Sequence, residues 1–380
     1  MDFKYFDHAA TTKVDDAVVK EMLPYFGIEF GNASSLYTIG RRAKRAVEES
    51  REKIARAINC ERKEIYFTSC GSESDNLAIK GIAYANRNKG NHIITSKIEH
   101  PAVLNTCRKL EVQGFEVTYL NVDKDGLISL EELENKITDR TILISVMFAN
   151  NEIGTIEPIE EIGKIAKEHN LYFHTDAVQA IGNVRIDVKK LNINLLSMSA
   201  HKFYGPKGMG ALYVENGIEF EKLQDGGHQE KDKRAGTENT AGIVGMGKAI
   251  ELVYKDFDEY NKKIIDLRDY FIKEVTSKIP NTKLNGHETQ RLPGNCNISF
   301  EGIEAEELLL KLDEKGICTS SGSACSSGSG NPSHVLLAIG LEKELAYGTL
   351  RVTIGKENSK EDIDYLIENL VEIVPNLRNK

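Results

Sequence analysis

Between residues 64 and 214, short apolar runs alternate with stretches whose apolar positions recur every three or four residues. EIYFTS (64–69), HIITS (92–96) and FEVTYLNV (115–122) read as strands. Between them, SDNLAIKGIAYANR (74–87) and PAVLNTCRKLEVQG (101–114) carry the helical period; Pro101 opens the second and Gly114 closes it. SLEELENKI follows as a helix in which Ser129 and Glu132 are expected to form a capping box. TILISVMFA (141–149), PIEEIGKIAKEHN and LYFHTDA repeat the alternation, and LLSMSA and ALYV add further short strands. Such alternation predicts an α/β fold, a mostly parallel sheet covered by helices on both faces.

Beyond about residue 250 the pattern changes. The long helical stretch 256–279 reads as a link to a smaller α+β unit. That unit has strands near CNISF (296–300) and TLRVTI (349–354) and helices at AEELLLKLDEKG and SKEDIDYLIENLVEIV. A chain of 380 residues is long for one hydrophobic core, which agrees with two units.

Composition narrows the function classes. Apolar residues make up 40% and charged residues 28%, as in soluble globular proteins. A formal net charge of −9 argues against nucleic acid as the main ligand, though it leaves room for a local basic patch, KDKR (231–234) being one short candidate. MDFKYFDHAATT carries charges where a signal peptide needs an apolar core, and TILISVMFA is about half a membrane span. The six cysteines form no CxxC pair, and the closest two, Cys318 and Cys325, are seven apart. That suits neither zinc nor a disulfide framework, so reduced thiols in a cytoplasm are expected.

Four stretches can carry chemistry. FTSCGSESDN (67–76) runs from strand to helix with Gly71 and Ser72 at the joint, which suits either helix capping or a phosphate against free backbone N–H groups. In YFHTDAVQAIG (172–182), Asp176 ends a buried strand, where it either caps a helix or faces a ligand crevice. In SMSAHKFYGPKG (197–208), Lys202 leaves an apolar strand ahead of a glycine-rich hairpin, and a desolvated lysine suits bonding to a carbonyl. Lys202 lies 26 residues after Asp176 (202 − 176), about one helix-and-strand excursion, so both can face one crevice. An acid for a pyridine nitrogen, a lysine and a phosphate cup are together the parts of a pyridoxal 5′-phosphate (PLP) site. The fourth stretch, SSGSACSSGSG (320–330), has linker composition around a single thiol, Cys325.

With these parts in order, the chain resembles the class V, fold-type I PLP enzymes, and within them the cysteine desulfurases of the NifS/IscS type. The matching segments span nearly the whole chain: YFDHAATT, GNASSLY, FTSCGSESDN, EHPAV, NNEIGT, HTDAVQ, SAHKFYGPKG, RAGTEN, SSGSAC and LRVTIG. The resemblance implies a seven-stranded, mostly parallel sheet in a large PLP-binding domain over 16–258. Residues 1–15 and 259–380 would form a small domain carrying a mobile Cys325 loop.

It also implies residue roles. Lys202 would carry PLP covalently. Asp176 would pair with the ring nitrogen, Gln179 with the phenolic oxygen, and Asn151 would contact the cofactor and its substrate. Gly71, Ser72, Ser199 and His201 would cradle the phosphate, and Thr237 would reach it from the other subunit of a homodimer. His100 would stack on the ring and move protons, and Arg351 would clamp the substrate carboxylate. Cys325 would take sulfur from L-cysteine as a persulfide, leaving L-alanine, and pass it to an acceptor. That acceptor would be an iron–sulfur scaffold or a tRNA-thiolation enzyme. No resident metal is implied, Cys325 being at most a transient iron–sulfur ligand shared with a scaffold. The alternative is a selenocysteine lyase or another β-lyase on the same scaffold.

Three positions depart from the family pattern. His8 stands where Asn is common, Phe148 where His is common, and Cys70 where Gly is frequent. If Cys70 needs a positive φ, its β-carbon costs roughly 1 kcal/mol.

Overall fold

The computed structural model describes residues 3–321 and 332–379. Among these, strands β2 (Ile65–Thr68), β3 (His92–Ser96), β4 (Glu116–Leu120), β5 (Thr141–Ser145), β6 (Tyr172–Asp176), β7 (Leu195–Ser199) and β8 (Gly210–Val214) form one sheet. Its order is β2-β8-β7-β6-β5-β3-β4. The five strands from β7 to β4 run parallel, and β8 is antiparallel to both its neighbours. Parallel strands need cover on both faces. Every residue of β3, β5, β7 and β8 is accordingly buried, whereas the edge strand β4 is half exposed.

Helices Gly71–Ala85 and Pro101–Val112 cover one face through Leu77, Ile82, Val103 and Leu110. Helices Thr38–Ala57, Ile159–Glu168 and Thr240–Lys255 cover the other through Val47, Ile54, Ile162, Ile243 and Met246. Thr38–Ala57 and Thr240–Lys255 are not among the elements expected from the sequence; beside their larger apolar residues, Gly and Ala positions let the two helices pack closely. A β-carbon on Gly247 would lie 2.7 Å from Ser50 Cβ, so the close approach depends on the missing side chain.

A second core gathers Phe6, Ile264, Phe271, Ile298, Leu350, Ile363 and Val374. Strands β9 (Thr282–Leu284), β10 (Asn295–Phe300) and β12 (Thr349–Thr353) make its antiparallel sheet in the order β12-β10-β9. Helices Phe257–Lys278, Ala305–Glu314 and Lys360–Arg378 flank it. The first strand, β1 (Lys4–Tyr5), pairs in parallel with β11 (Ile317–Cys318), which ties the N-terminal segment to the C-terminal third of the chain.

Two local expectations change. Ser129 Oγ accepts the Glu132 N–H at 3.1 Å, but the Glu132 carboxylate accepts from Asn121 Nδ2 at 2.9 Å instead of reaching back, so the box is half formed. Cys70 has φ −173° and ψ 171°, extended backbone that any residue adopts, so its β-carbon carries no conformational cost.

Candidate active site

Asp176 ends β6, Ser199 ends β7, and the helix Gly71–Ala85 begins just past β2. All three therefore meet at the carboxyl edge of the sheet, where open α/β folds bind ligands. A cavity of about 300 Å³ lies there. Its walls include Gly71, Ser72, His100, Asn151, Asp176, Gln179, Ser199, His201, Lys202 and Arg351, ten of the residues expected from the sequence. Thr237 is exposed and does not line it. Cys325 lies outside the described residues.

Lys202 emerges from a short turn after β7, and its Nζ donates to the carbonyls of Ala9 and, at 2.8 Å, Ala10. Gln179 Nε2 donates to the same Ala9 carbonyl at 3.0 Å. The turn is held in shape by Tyr204, a buried residue with φ 66°. Left-handed backbone costs a non-glycine residue about 1–2 kcal/mol. Offsetting this, the Tyr204 N–H donates to Thr12 Oγ1 at 2.8 Å and its carbonyl accepts from Asp15 at 3.0 Å. The N-terminal segment thus clasps the lysine turn.

Gly71 opens the helix beside the cavity, and a β-carbon there would come within 2.6 Å of Val178 Cγ2. The first-turn N–H groups of a helix have no partner inside the helix, and with the helix dipole they favour an anion. Glu73, on the same turn, faces away from that role. It accepts from the Ser69 N–H at 2.7 Å and from Arg234 Nε at 2.7 Å, which pins the turn to the segment that carries Thr237.

Besides Glu152, the buried carboxyls of Asp75, Glu99 and Asp176 line the cavity. Oxygens of Asp75 and Asp176 and a nitrogen of His100 lie within 4.8 Å of one another. Burial raises the pKa of all three acids, while His100 and Lys202 favour the charged form of Asp176 alone. His174, 3.7 Å from Asp75, bonds Ser145 and Ser197 and is kept neutral by burial. Burial thus favours the neutral acid at Asp75 and Glu99, whereas the neighbours of Asp176 favour its charge against the same burial. Neither Asp75, Glu99 nor His334 stands out in the sequence, because their neighbours come from distant segments.

This distribution sets a pH dependence. Burial pushes Glu99 and Glu157 up to about 8, and pushes His8 and His201 down to about 4. An acid with a raised folded pKa stabilises the fold below its unfolded value and loses that contribution as pH rises to its folded one. Between pH 6.5 and 8 these histidines are neutral when folded and lose at most about half a proton each when unfolded, a smaller and opposite effect, so the acids dominate. The cofactor-free protein should melt at lower temperature at pH 8 than at 6.5. Glu99→Gln, which copies the protonated acid, should lessen that fall; an unchanged fall in thermal melts would count against a protonated Glu99.

Arg351, on β12, is 1% exposed. Its Nη2 pairs with Asp7 at 2.8 Å and its Nη1 donates to the Asn151 carbonyl at 3.3 Å. Its Nε is buried and has no hydrogen-bond partner among the described residues. His100 caps the helix Pro101–Val112, its Nδ1 accepting the Ala102 N–H at 3.1 Å. A nitrogen that accepts carries no proton, so neutral His100 bears its hydrogen on Nε2.

An amine, a paired acid, an anion cup and a buried guanidinium around one cavity suit an anionic cofactor and an amino-acid substrate. Comparison with known proteins agrees. The chain matches the family described as aminotransferase class-V over residues 4–366. It is 59% identical over 376 residues to "Cysteine desulfurase IscS" of Clostridium botulinum, covering 98% of this chain and 95% of that one. A solved structure described as "NIFS-LIKE PROTEIN" superposes with a TM-score of 0.93 at 37% identity, covering 98% of this chain and 99% of the other. Another, "SspA in complex with cysteine", has a TM-score of 0.83 at 41% identity, covering 92% and 98%.

Proposed function

The chain belongs to the class-V aminotransferase family, among its cysteine desulfurases, and on that premise we propose how its residues convert L-cysteine to L-alanine and a transferable sulfur. The family uses PLP, and the cavity fits that group. The first helical turn at Gly71 and Ser72, with Ser199 and His201, offers donors for a phosphate, and the missing β-carbon of Gly71 leaves room for it. Asp176, the acid whose neighbours favour its charge, would hold a protonated ring nitrogen, and Gln179 the phenolic oxygen. When bound, the cofactor supplies an electron sink for the substrate's α-carbon.

The protein does the rest. Lys202 Nζ would hold the cofactor by its carbonyl carbon, and the same amine would move the α-proton of the substrate. Arg351 directs its Nε–H at the substrate carboxylate, a task that suits a planar fork. Asn151, in the same wall, orients the bound substrate. His100, in the cavity wall, would pack against the cofactor and offer a hydrogen bond from Nε2. The Cys325 thiolate receives the sulfur. The observation that carries this reading is the meeting of Lys202 Nζ, Asp176 and a buried Arg351 in one cavity.

The reading extends to assembly. Phe26, Ile28, Phe30, Leu36 and Tyr37 are all exposed within one short segment, which supports burial against a second copy, as does the exposed Thr237. The five described cysteines are free thiols, and no described helix is long and apolar enough to cross a membrane. Both support work in a reducing cytoplasm, with a scaffold or tRNA-thiolation enzyme taking the sulfur. The separate core that includes Phe6 supports a small domain of residues 1–15 and 259–380 beside a large one over 16–258.

The test is incubation of the PLP-loaded protein with L-cysteine. L-alanine and protein-bound or released sulfur should appear in equal amounts, and alanine without sulfur transfer would overturn the reading.

A further inference from the structure

Three histidines line the cavity: His100, His201 and His334. Hydrogen bonding decides where two of them keep the proton. His334 Nε2 lies 3.1 Å from the Glu99 carbonyl. A carbonyl only accepts, so Nε2 carries the hydrogen and the neutral ring keeps its lone pair on Nδ1. His100 is the opposite case, its Nδ1 lone pair already taken by the Ala102 N–H. His201 Nδ1 meets the Thr11 hydroxyl at 3.1 Å, which leaves its tautomer open.

We propose that His334 Nδ1 accepts the thiol proton of bound cysteine, an inference that rests on reading the cavity as a cysteine desulfurase site. The ring is well anchored for this. Ser333 Oγ donates to Glu152 Oε2 at 2.5 Å and accepts the Val335 N–H at 3.1 Å. The Glu152 carbonyl is held in turn by Asn295 Nδ2 and Asn297 Nδ2.

The charged and titratable groups around His334 come from several elements. Glu99 and His100 precede one helix, Glu152 follows β5, Arg351 lies on β12, and Lys202, His201, Asp75 and Asp176 complete the cavity. Of these, Glu152 and His100 interact with the ring directly through their charges. Protonated His334 keeps its Nε2–H bond to the Glu99 carbonyl and gains the Glu152 carboxyl as counter-ion. His100 has to give up its helix cap to take a second proton.

The step balances. The attacking thiolate spends a lone pair on the new S–S bond, and the C–S pair stays with carbon. The S–H proton passes to Nδ1, leaving its electron pair on the transferred sulfur. The products are a persulfide anion and an imidazolium, with no added oxidant.

The test compares L-cysteine with L-selenocysteine, whose selenol is already ionised at neutral pH. His334→Gln in the PLP-loaded protein keeps a donor for the Glu99 carbonyl but no base. It should lose about 100-fold in kcat/KM with L-cysteine. Selenocysteine turnover and cofactor absorption should stay within about threefold of wild type. Equal losses on both substrates, or no loss on cysteine, would overturn the proposal. His334→Asn is the second variant if the first misfolds. Wild-type protein that turns over neither substrate would instead overturn the desulfurase reading itself.

Discussion

Lys202→Ala should lower L-alanine formation from L-cysteine by about 10⁴-fold or more, because one amine both bonds the cofactor and moves the α-proton. The variant should still fold, since Lys202 Nζ is held by two backbone carbonyls at a cavity edge, not by the core. It should lose the yellow colour that PLP gives when joined to a lysine. Lys202→Arg is the decisive companion. It keeps the charge and the donors, yet a guanidinium does not deprotonate, so it should be equally inactive. Substantial activity in Lys202→Arg would show that Lys202 merely supplies positive charge. Activity is read as alanine by chromatography, and cofactor attachment by absorbance after removal of free PLP.

Arg351→Lys should lower kcat/KM for L-cysteine by about 100-fold, chiefly through KM. Charged hydrogen bonds contribute about 1.5–3 kcal/mol, and each 1.4 kcal/mol is tenfold. The substituted ammonium can still pair with Asp7, but it cannot hold Asp7, the Asn151 carbonyl and a substrate carboxylate in one plane. Arg351→Ala is the poorer probe, because it strands the Asp7 carboxylate and confounds stability with binding. A lysine variant with wild-type KM would remove Arg351 from substrate recognition.

The strands, and the meeting of Asp176 and Lys202 in one cavity, were legible because their signals are local. Asp176 and Lys202 sit at the ends of continuous apolar runs, and a parallel sheet brings all such ends to one edge. The tautomers of His100 and His334 were not legible, since they depend on hydrogen bonds to the Ala102 N–H and the Glu99 carbonyl. Nor was the raised pKa of Asp75, which arises from burial beside Asp176 once residues 101 positions apart (176 − 75) fold together. Cys70 misled for a related reason. Glycine in the family pattern suggested a left-handed turn, whereas the chain passes there extended. The helix Thr38–Ala57 was not among the expected elements, although its apolar residues gather on one face.

The central claim is that sulfur leaves L-cysteine for one thiol of this chain. Mass spectrometry of the PLP-loaded protein, quenched after brief exposure to L-cysteine and alkylated without reduction, tests it most directly. The account predicts one added sulfur atom, on the peptide that contains Cys325, and none in Cys325→Ala, which should stay yellow. An unmodified Cys325 peptide, or sulfur carried instead on Cys70 or Cys318, would contradict it.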